Sequence, residues 1–304
     1  MSEIEKLIQT LEEDGIVLLP ELLAESELSA MQASFDMELK QPRWNTSSGY
    51  QQNEKWRLLL EDVLTLDPAF LTLAIHPLAR SIFSQYIGSS YILAEARGWE
   101  TIATQRDFHG WHNDAWYDTE KVETRPRELK IGYYLTDVET GHFEYIRASH
   151  KLRGIPRHWG KHEIAQFSDD IVEVKGKAGS AFIFDTAGIH RQSSPVLTPR
   201  RVLLYTYHDS SVPIQEKDMK YGRYHSLLLR ASFLGGLSDE ERRVLGFGNM
   251  DYFTRFERPK RRYPLLHETI RRAMNLRLEW QDIAHETKNI FNGIRRRLRK
   301  NQNL

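Results

Sequence analysis

The 304-residue chain contains no cysteine. Disulfides, iron–sulfur clusters and thiolate zinc sites are therefore excluded. Any metal must sit on His, Asp or Glu. Net charge is lacking too: 42 Lys+Arg balance 42 Asp+Glu, giving +0. That argues against a protein that coats nucleic acid through a whole-molecule basic field. No apolar run approaches the roughly 20 residues that span a bilayer. The stretch Met1–Lys6 has no basic segment leading into an apolar one, so no secretory signal is expected and the expected location is cytoplasmic. Internal repeats and low-complexity linkers are absent as well. What is present suits a folded chain: 40 % hydrophobic and 28 % charged residues allow a substantial core.

Ile4, Leu7, Ile8 and Leu11 recur at helical spacing over 3–12, and Asp14-Gly15 ends that helix. Ile16–Leu19 reads as a short strand stopped by Pro20. Residues 24–39 and 66–87 read as helix, the latter divided at Pro77. From Tyr91 to about Tyr207 short apolar or alternating runs recur between turn residues, at 91–96, 130–136, 142–147, 171–175, 180–185 and 201–207. Such a series predicts an all-β sandwich or barrel. Helical texture returns beyond about 214, best over 238–246 and 264–299. The expected architecture is a mainly β core with flanking helices. Residues 1–213 would form the core domain, and 214–304 a helical, basic extension packed on or beside it.

Within the β region, Phe108–Asp114 contains a His-x-Asp pair, His112 and Asp114. Side chains at i and i+2 of a strand share a face, so an imidazole and a carboxylate can meet one ion. A second histidine from elsewhere would complete a facial set that suits Fe(II), with positions open for a bidentate cosubstrate and O₂. Alone, the pair is commonplace. Downstream, however, a turn at Gly176–Gly179 precedes a buried strand, Ser180–Asp185, and then His190. Arg200-Arg201 leads the next strand, and an arginine beside a metal can clamp a carboxylate through two parallel bonds.

Five segments, in order, resemble landmarks of the phytanoyl-CoA dioxygenase family of Fe(II)/2-oxoglutarate oxygenases. They are Leu11–Pro20, Trp111-His112-Asn113-Asp114, Gly141–Lys151, His190, and Arg201 eleven residues after it. The resemblance covers roughly residues 8–208. It implies a double-stranded β-helix (jelly-roll, cupin-like) with iron on His112, Asp114 and His190. It also implies 2-oxoglutarate held by Arg201, and O₂ as the oxidant. Asn113, between the two ligands, and Tyr134 are further candidates for contact with the bound cosubstrate, though Tyr134 could simply pack in the core. The implied activity is hydroxylation of a small or lipid-linked organic substrate, with release of succinate and CO₂. Three positions depart from the family pattern: Arg147-Ala148 stands for Pro-Gly, Ser193-Ser194 for an Asn, and Asn113 for a Gln. The ligand aspartate is retained, so a position for halide is not expected.

Several residues carry two readings. Arg200 and Arg201 must face opposite ways, and spacing from His190 favours Arg201 as the clamp. His109 competes with His112 but lacks an acid two residues on. Trp111, Trp116 and Tyr117 can stack on a substrate or pack in the core. Arg106, His109 and Arg147 can bind a phosphate or carboxylate, or be solvated. His150 is expected to support a loop; His142, His158, His162, His208 and His225 read as surface or hydrogen-bonded core histidines. The C-terminal part is basic, from Arg255 to Arg295-Arg296-Arg297 and Arg299-Lys300. It is expected to cap the core over 264–290, while 290–300 suits a peripheral contact with an anionic membrane equally well. Nucleic acid is disfavoured because the run lacks interleaved aromatics. The alternative function is a non-catalytic relative of the same fold, acting as a membrane-associated binding or scaffold protein.

Overall fold

The computed structural model describes residues 2–39, 56–60, 63–114, 125–212, 227 and 229–247. Ser2 and Glu5 form a reciprocal cap that starts helix α1 (Glu3–Asp14). Gly15, at φ 79°, ends it in the left-handed conformation that L side chains avoid. The chain turns there into β1 (Ile16–Leu19). Helix α2 (Glu25–Leu39) follows, then β2 (Arg57–Leu60). The helical stretch read over 66–87 is two helices, α3 (Pro68–Ala74) and α4 (Pro77–Tyr86). Each opens on a proline at its first turn, where the missing N–H costs nothing.

The β region forms two sheets among the described residues. One has six strands in the order β1-β9-β5-β11-β3-β2. It uses β3 (Tyr91–Thr101), β5 (Glu128–Tyr134), β9 (Ala181–Asp185) and β11 (Arg200–Asp209). The other has five, β7-β4-β10-β6-β8. Its members are β4 (Trp111–His112), β6 (Val138–Ile146), β7 (His158–Trp159), β8 (Ile171–Gly176) and β10 (His190–Gln192). All pairings are antiparallel, and the two facing sheets make a double-stranded β-helix with flanking helices.

Alternation along β11 divides the core in two. Leu203, Tyr205 and Tyr207 face the helices and pack with Phe35, Phe70 and Phe83. Val202 faces the other sheet and packs with Trp99, Tyr134, Phe143, Phe182 and Phe184. Both layers are buried, so the large sheet reads as nearly continuous hydrophobic runs. In the C-terminal part, α5 (Asp239–Val244) and residues Leu227, Leu229, Leu245 and Phe247 join the helical layer. The basic segment from Arg255 onward, Trp116, Tyr117 and His225 lie outside the described residues. No helix among the described residues is long and apolar enough to cross a membrane.

Candidate metal centre

The site is built at the crossing of β4 and β10. His112 and His190 are direct partners across that ladder, with ring centroids 4.5 Å apart. Asp114 follows two residues after His112, and its N–H donates to the Thr186 carbonyl at 2.8 Å. Ligand atoms of His112, Asp114 and His190 thus lie within 4.8 Å of one another. Each imidazole is fixed by a backbone oxygen. His112 Nδ1 is 3.0 Å from the Gly110 carbonyl, and His190 Nδ1 is 2.9 Å from that of Gly188. With Nδ1 donating, both Nε2 lone pairs are available to a metal, the usual role of such outer contacts. Gly188 must lack a side chain, since a Cβ would sit 1.9 Å from the Tyr145 hydroxyl.

Electrostatics agree with ligand duty. Burial lowers the His190 pKa to about 3, helped by His112 and opposed by Asp114. Burial likewise lowers that of His112. Both rings are therefore neutral at ordinary pH, as metal ligands must be. Asp114 Oδ2 lies 3.9 Å from His190 Nε2 and accepts from Lys130 Nζ at 2.6 Å. Lys130 is 9 % exposed and comes from β5. Two neutral imidazoles and one oriented carboxylate fit an Fe(II) ion with open positions on its far side.

The two adjacent arginines face opposite sides of the large sheet, and Arg201, which spacing favours as the clamp, does not face the ligand cluster. Arg201 lies on the helical side, paired with Asp36 of α2 at 2.6 Å and with Glu100 at 2.7 Å. Arg200 is the inward residue, two before Val202, and is 4 % exposed. Its Nη2 donates to Gln192 Oε1 at 2.8 Å, while Nε and Nη1 have no hydrogen-bond partner among the described residues. Burial lowers the Arg200 pKa, and the neighbouring Tyr134 hydroxyl opposes that shift.

Asn113 is also displaced from its expected role. It points away from the ligands, and its Nδ2 donates to the Pro156 carbonyl at 2.8 Å. A residue between two strand neighbours that share a face must turn the other way. It pins the 156–157 loop instead. Tyr134 is fully buried inside the sandwich, donating to the Val174 carbonyl at 2.8 Å and accepting from the Phe143 N–H at 3.0 Å. Its ring belongs to the inner aromatic cluster, and its hydroxyl spans the two sheets.

His109 is engaged by an arginine: Arg57 Nη1 donates to its Nε2 at 2.6 Å, and Arg57 stacks on Trp99 at 3.8 Å. Burial lowers the His109 pKa to about 2, with Arg57 the next cause. Trp111 packs with Ile146, Ile164 and Ile189. Arg147 meets Asp14 at 3.7 Å, and Arg106 lies over Trp56. His150 sits under the α1–β1 turn, 3.3 Å from the Glu12 carbonyl.

Sequence reasoning missed Lys130 and a buried polar layer beyond it. There His208 Nδ1 is 2.8 Å from Glu128, which also accepts from Thr186 at 2.9 Å. Arg97 pairs with Glu95 at 2.7 Å, and Thr206 donates to Glu95 at 3.1 Å. The signal was present in β5. Reading Leu129, Ile131 and Tyr133 as the core face sends Glu128, Lys130 and Tyr134 inward together.

Comparison with known proteins agrees with this geometry. No curated protein sequence matches the chain. Among solved structures, it is similar to SnoN, a non-haem α-ketoglutarate-dependent epimerase from nogalamycin biosynthesis. The TM-score is 0.52 at 18 % identity, covering 69 % of this chain and 83 % of that one. It is similar to SnoK, an α-ketoglutarate-dependent carbocyclase from the same biosynthesis, with a TM-score of 0.54 at 16 % identity, covering 71 % and 87 %. HygX from Streptomyces hygroscopicus, solved with nickel and 2-oxoglutarate bound, gives 0.51 at 15 % identity, covering 69 % and 88 %. At such identities these likenesses establish the shared fold. The model of the phytanoyl-CoA dioxygenase (PhyH) family matches residues 11–201, a span that holds strands β1 to β10, the His-x-Asp pair and the distal histidine; the chain belongs to that family, whose members use Fe(II), 2-oxoglutarate and O₂.

Proposed function

We propose that this protein is an Fe(II)/2-oxoglutarate-dependent oxygenase that hydroxylates a small, polar organic substrate. One observation carries the reading. His112, Asp114 and His190 converge within 4.8 Å, and both imidazoles are held by backbone carbonyls so that their remaining nitrogens face inward.

In this reading His112, Asp114 and His190 hold the metal. Iron(II) bound there supplies the oxidative chemistry, with 2-oxoglutarate and O₂ consumed and succinate and CO₂ released. Arg200 holds the distal carboxylate of 2-oxoglutarate through its guanidinium fork, two of whose nitrogens have no partner among the described residues. Lys130 orients Asp114 and counters its charge. The inner aromatic cluster of Trp99, Phe143 and Phe184 excludes water from that end. The opposite end is walled by Lys130, Glu128, His208, Thr206, Glu95 and Arg97, all buried. An acyl chain laid on those polar groups would offer them no hydrogen bonds, so a polar substrate fits better. Hydroxylation needs no group beyond this set. Halogenation would need the carboxylate position for a halide, and Asp114 occupies it.

Anaerobic titration of the protein with Fe(II) and 2-oxoglutarate tests the reading. A weak visible charge-transfer band should appear, and Asp114→Ala should abolish it. A folded wild-type protein that gives no band would remove the reading, and the scaffold alternative would take its place.

A further inference from the structure

The outer face of the five-stranded sheet carries a second cluster of metal-ligating groups, with its back to the first. His142 and Glu144 lie two residues apart on β6, and Glu173 of β8 is the direct cross-strand partner of Glu144. Like charges directly opposed across a ladder are destabilising, so this row calls for cations. Two are present, and they occupy one oxygen of each acid. Arg191 Nε donates to Glu144 Oε2 at 2.6 Å, and Lys175 Nζ donates to Glu173 Oε2 at 2.6 Å. Both carboxylates are thereby oriented, and their other oxygens turn toward His142. Glu144 Oε1 and Glu173 Oε1 lie 3.4 and 3.5 Å from His142 Nε2.

His142 is 7 % exposed, and its buried Nε2 makes no hydrogen bond among the described residues. Its Nδ1 sits 3.3 Å from the Glu139 carbonyl. This repeats the arrangement of His112 and His190, with Nδ1 on a backbone oxygen and Nε2 aimed at carboxylate. A protonated imidazole on a carboxylate closes to about 2.7–2.9 Å. The observed separations are too long for that bond. They suit a shared ion instead: tetrahedral zinc, with bonds of about 2.0–2.1 Å, sets neighbouring N and O ligands about 3.3–3.4 Å apart.

We propose that His142, Glu144 and Glu173 form a second metal site that takes a divalent transition ion, zinc foremost, with solvent completing the coordination. One nitrogen and two oxygens suit such an ion better than calcium, which takes six to eight oxygens. Glu173, half-exposed, opens the site to water. The ion ties the edge strand β8 to β6. Through Glu144 and Arg191 it also steadies β10, the strand that begins with His190. The proposal stands independently of the oxygenase reading.

Equilibrium dialysis of the full-length protein against Zn(II), with metal and protein counted, tests it by difference. Asp114→Ala removes the first site from the count. In that background Glu173→Gln should lower bound zinc by one further equivalent, and His142→Ala should do the same. Glu173 is the safer substitution because it is half-exposed, and circular dichroism confirms that each variant is folded. Unchanged zinc content in folded Glu173→Gln would overturn the proposal. The arms separate the two sites. An equivalent lost with Glu173→Gln but none lost with Asp114→Ala would uphold this site and count against the iron centre.

Discussion

Replacing each of the two adjacent arginines with methionine separates their roles. Arg200 is buried, with two guanidinium nitrogens lacking partners among the described residues, and a carboxylate bound to its fork would pair with one of them and with Nη2. Hydrogen bonds to charged groups contribute about 1.5–3 kcal/mol each, so losing the pair should cost about 3 kcal/mol of cosubstrate binding. That is roughly 100-fold in the dissociation constant. The same substitution removes a buried cation that lacks a carboxylate when no cosubstrate is bound. Apolar replacement of such a group is typically neutral or stabilising, so the ligand-free protein should gain about 1 kcal/mol. Arg201→Met should do the reverse. It loses two partly exposed ion pairs, with Asp36 and Glu100, worth about 1 kcal/mol of stability together. Its 2-oxoglutarate affinity should move by less than about threefold, because the side chain lies on the far side of the sheet. Anaerobic titration of the Fe(II)-loaded variants with 2-oxoglutarate, paired with urea denaturation of the metal-free ones, reads both quantities. A large loss of affinity in Arg201→Met, with Arg200→Met unaffected, would refute the face assignment.

Three further outcomes are expected. Ala148 holds φ 58° where the family has glycine, and Ala148→Gly should stabilise the chain by about 0.5–1 kcal/mol in urea denaturation; a loss would show that the turn is not strained. Lys130→Met removes the cation facing the buried Asp114 carboxylate, and should cost about 3 kcal/mol of metal-free stability. Saturating Co(II) should recover most of that loss, since the ion replaces the missing charge, and an equal loss with and without metal would count against the pairing. Burial lifts the Asp185 carboxyl to about 6, against about 3.9 in an unfolded chain. The folded state therefore keeps this proton where the unfolded state has released it. That contribution to stability is present below about pH 4 and is lost as pH rises through 6, by about 3 kcal/mol. Asp185→Asn should match wild type near pH 4 and exceed it by that amount near pH 7.5, and parallel pH profiles would show that the carboxyl is not perturbed.

Residue type and order made the candidate ligand set and the sandwich legible from sequence. His112 and Asp114, commonplace alone, are followed in family order by a buried strand, His190 and an arginine, and the apolar runs around Phe182 and Tyr205 are long enough to mark buried strands. Proline and glycine placed the helix boundaries at 15 and 77, because they act through the backbone itself. Short strands such as β4, β7 and β10 left no pattern, since two or three residues contain no period to detect. Which arginine turns inward was decided by register alone: on a strand of period two, a shift of one residue exchanges every side chain between faces, and Arg201 rather than Arg200 had the expected spacing. The same alternation turned Asn113 away from the His112–Asp114–His190 cluster and brought Lys130 to Asp114. The second cluster could not be seen in the sequence either. His142 and Glu144 are neighbours on one strand, but Glu173 reaches them only because β8 lies beside β6 in the folded sheet, and cross-strand partners are fixed by tertiary pairing rather than by local sequence.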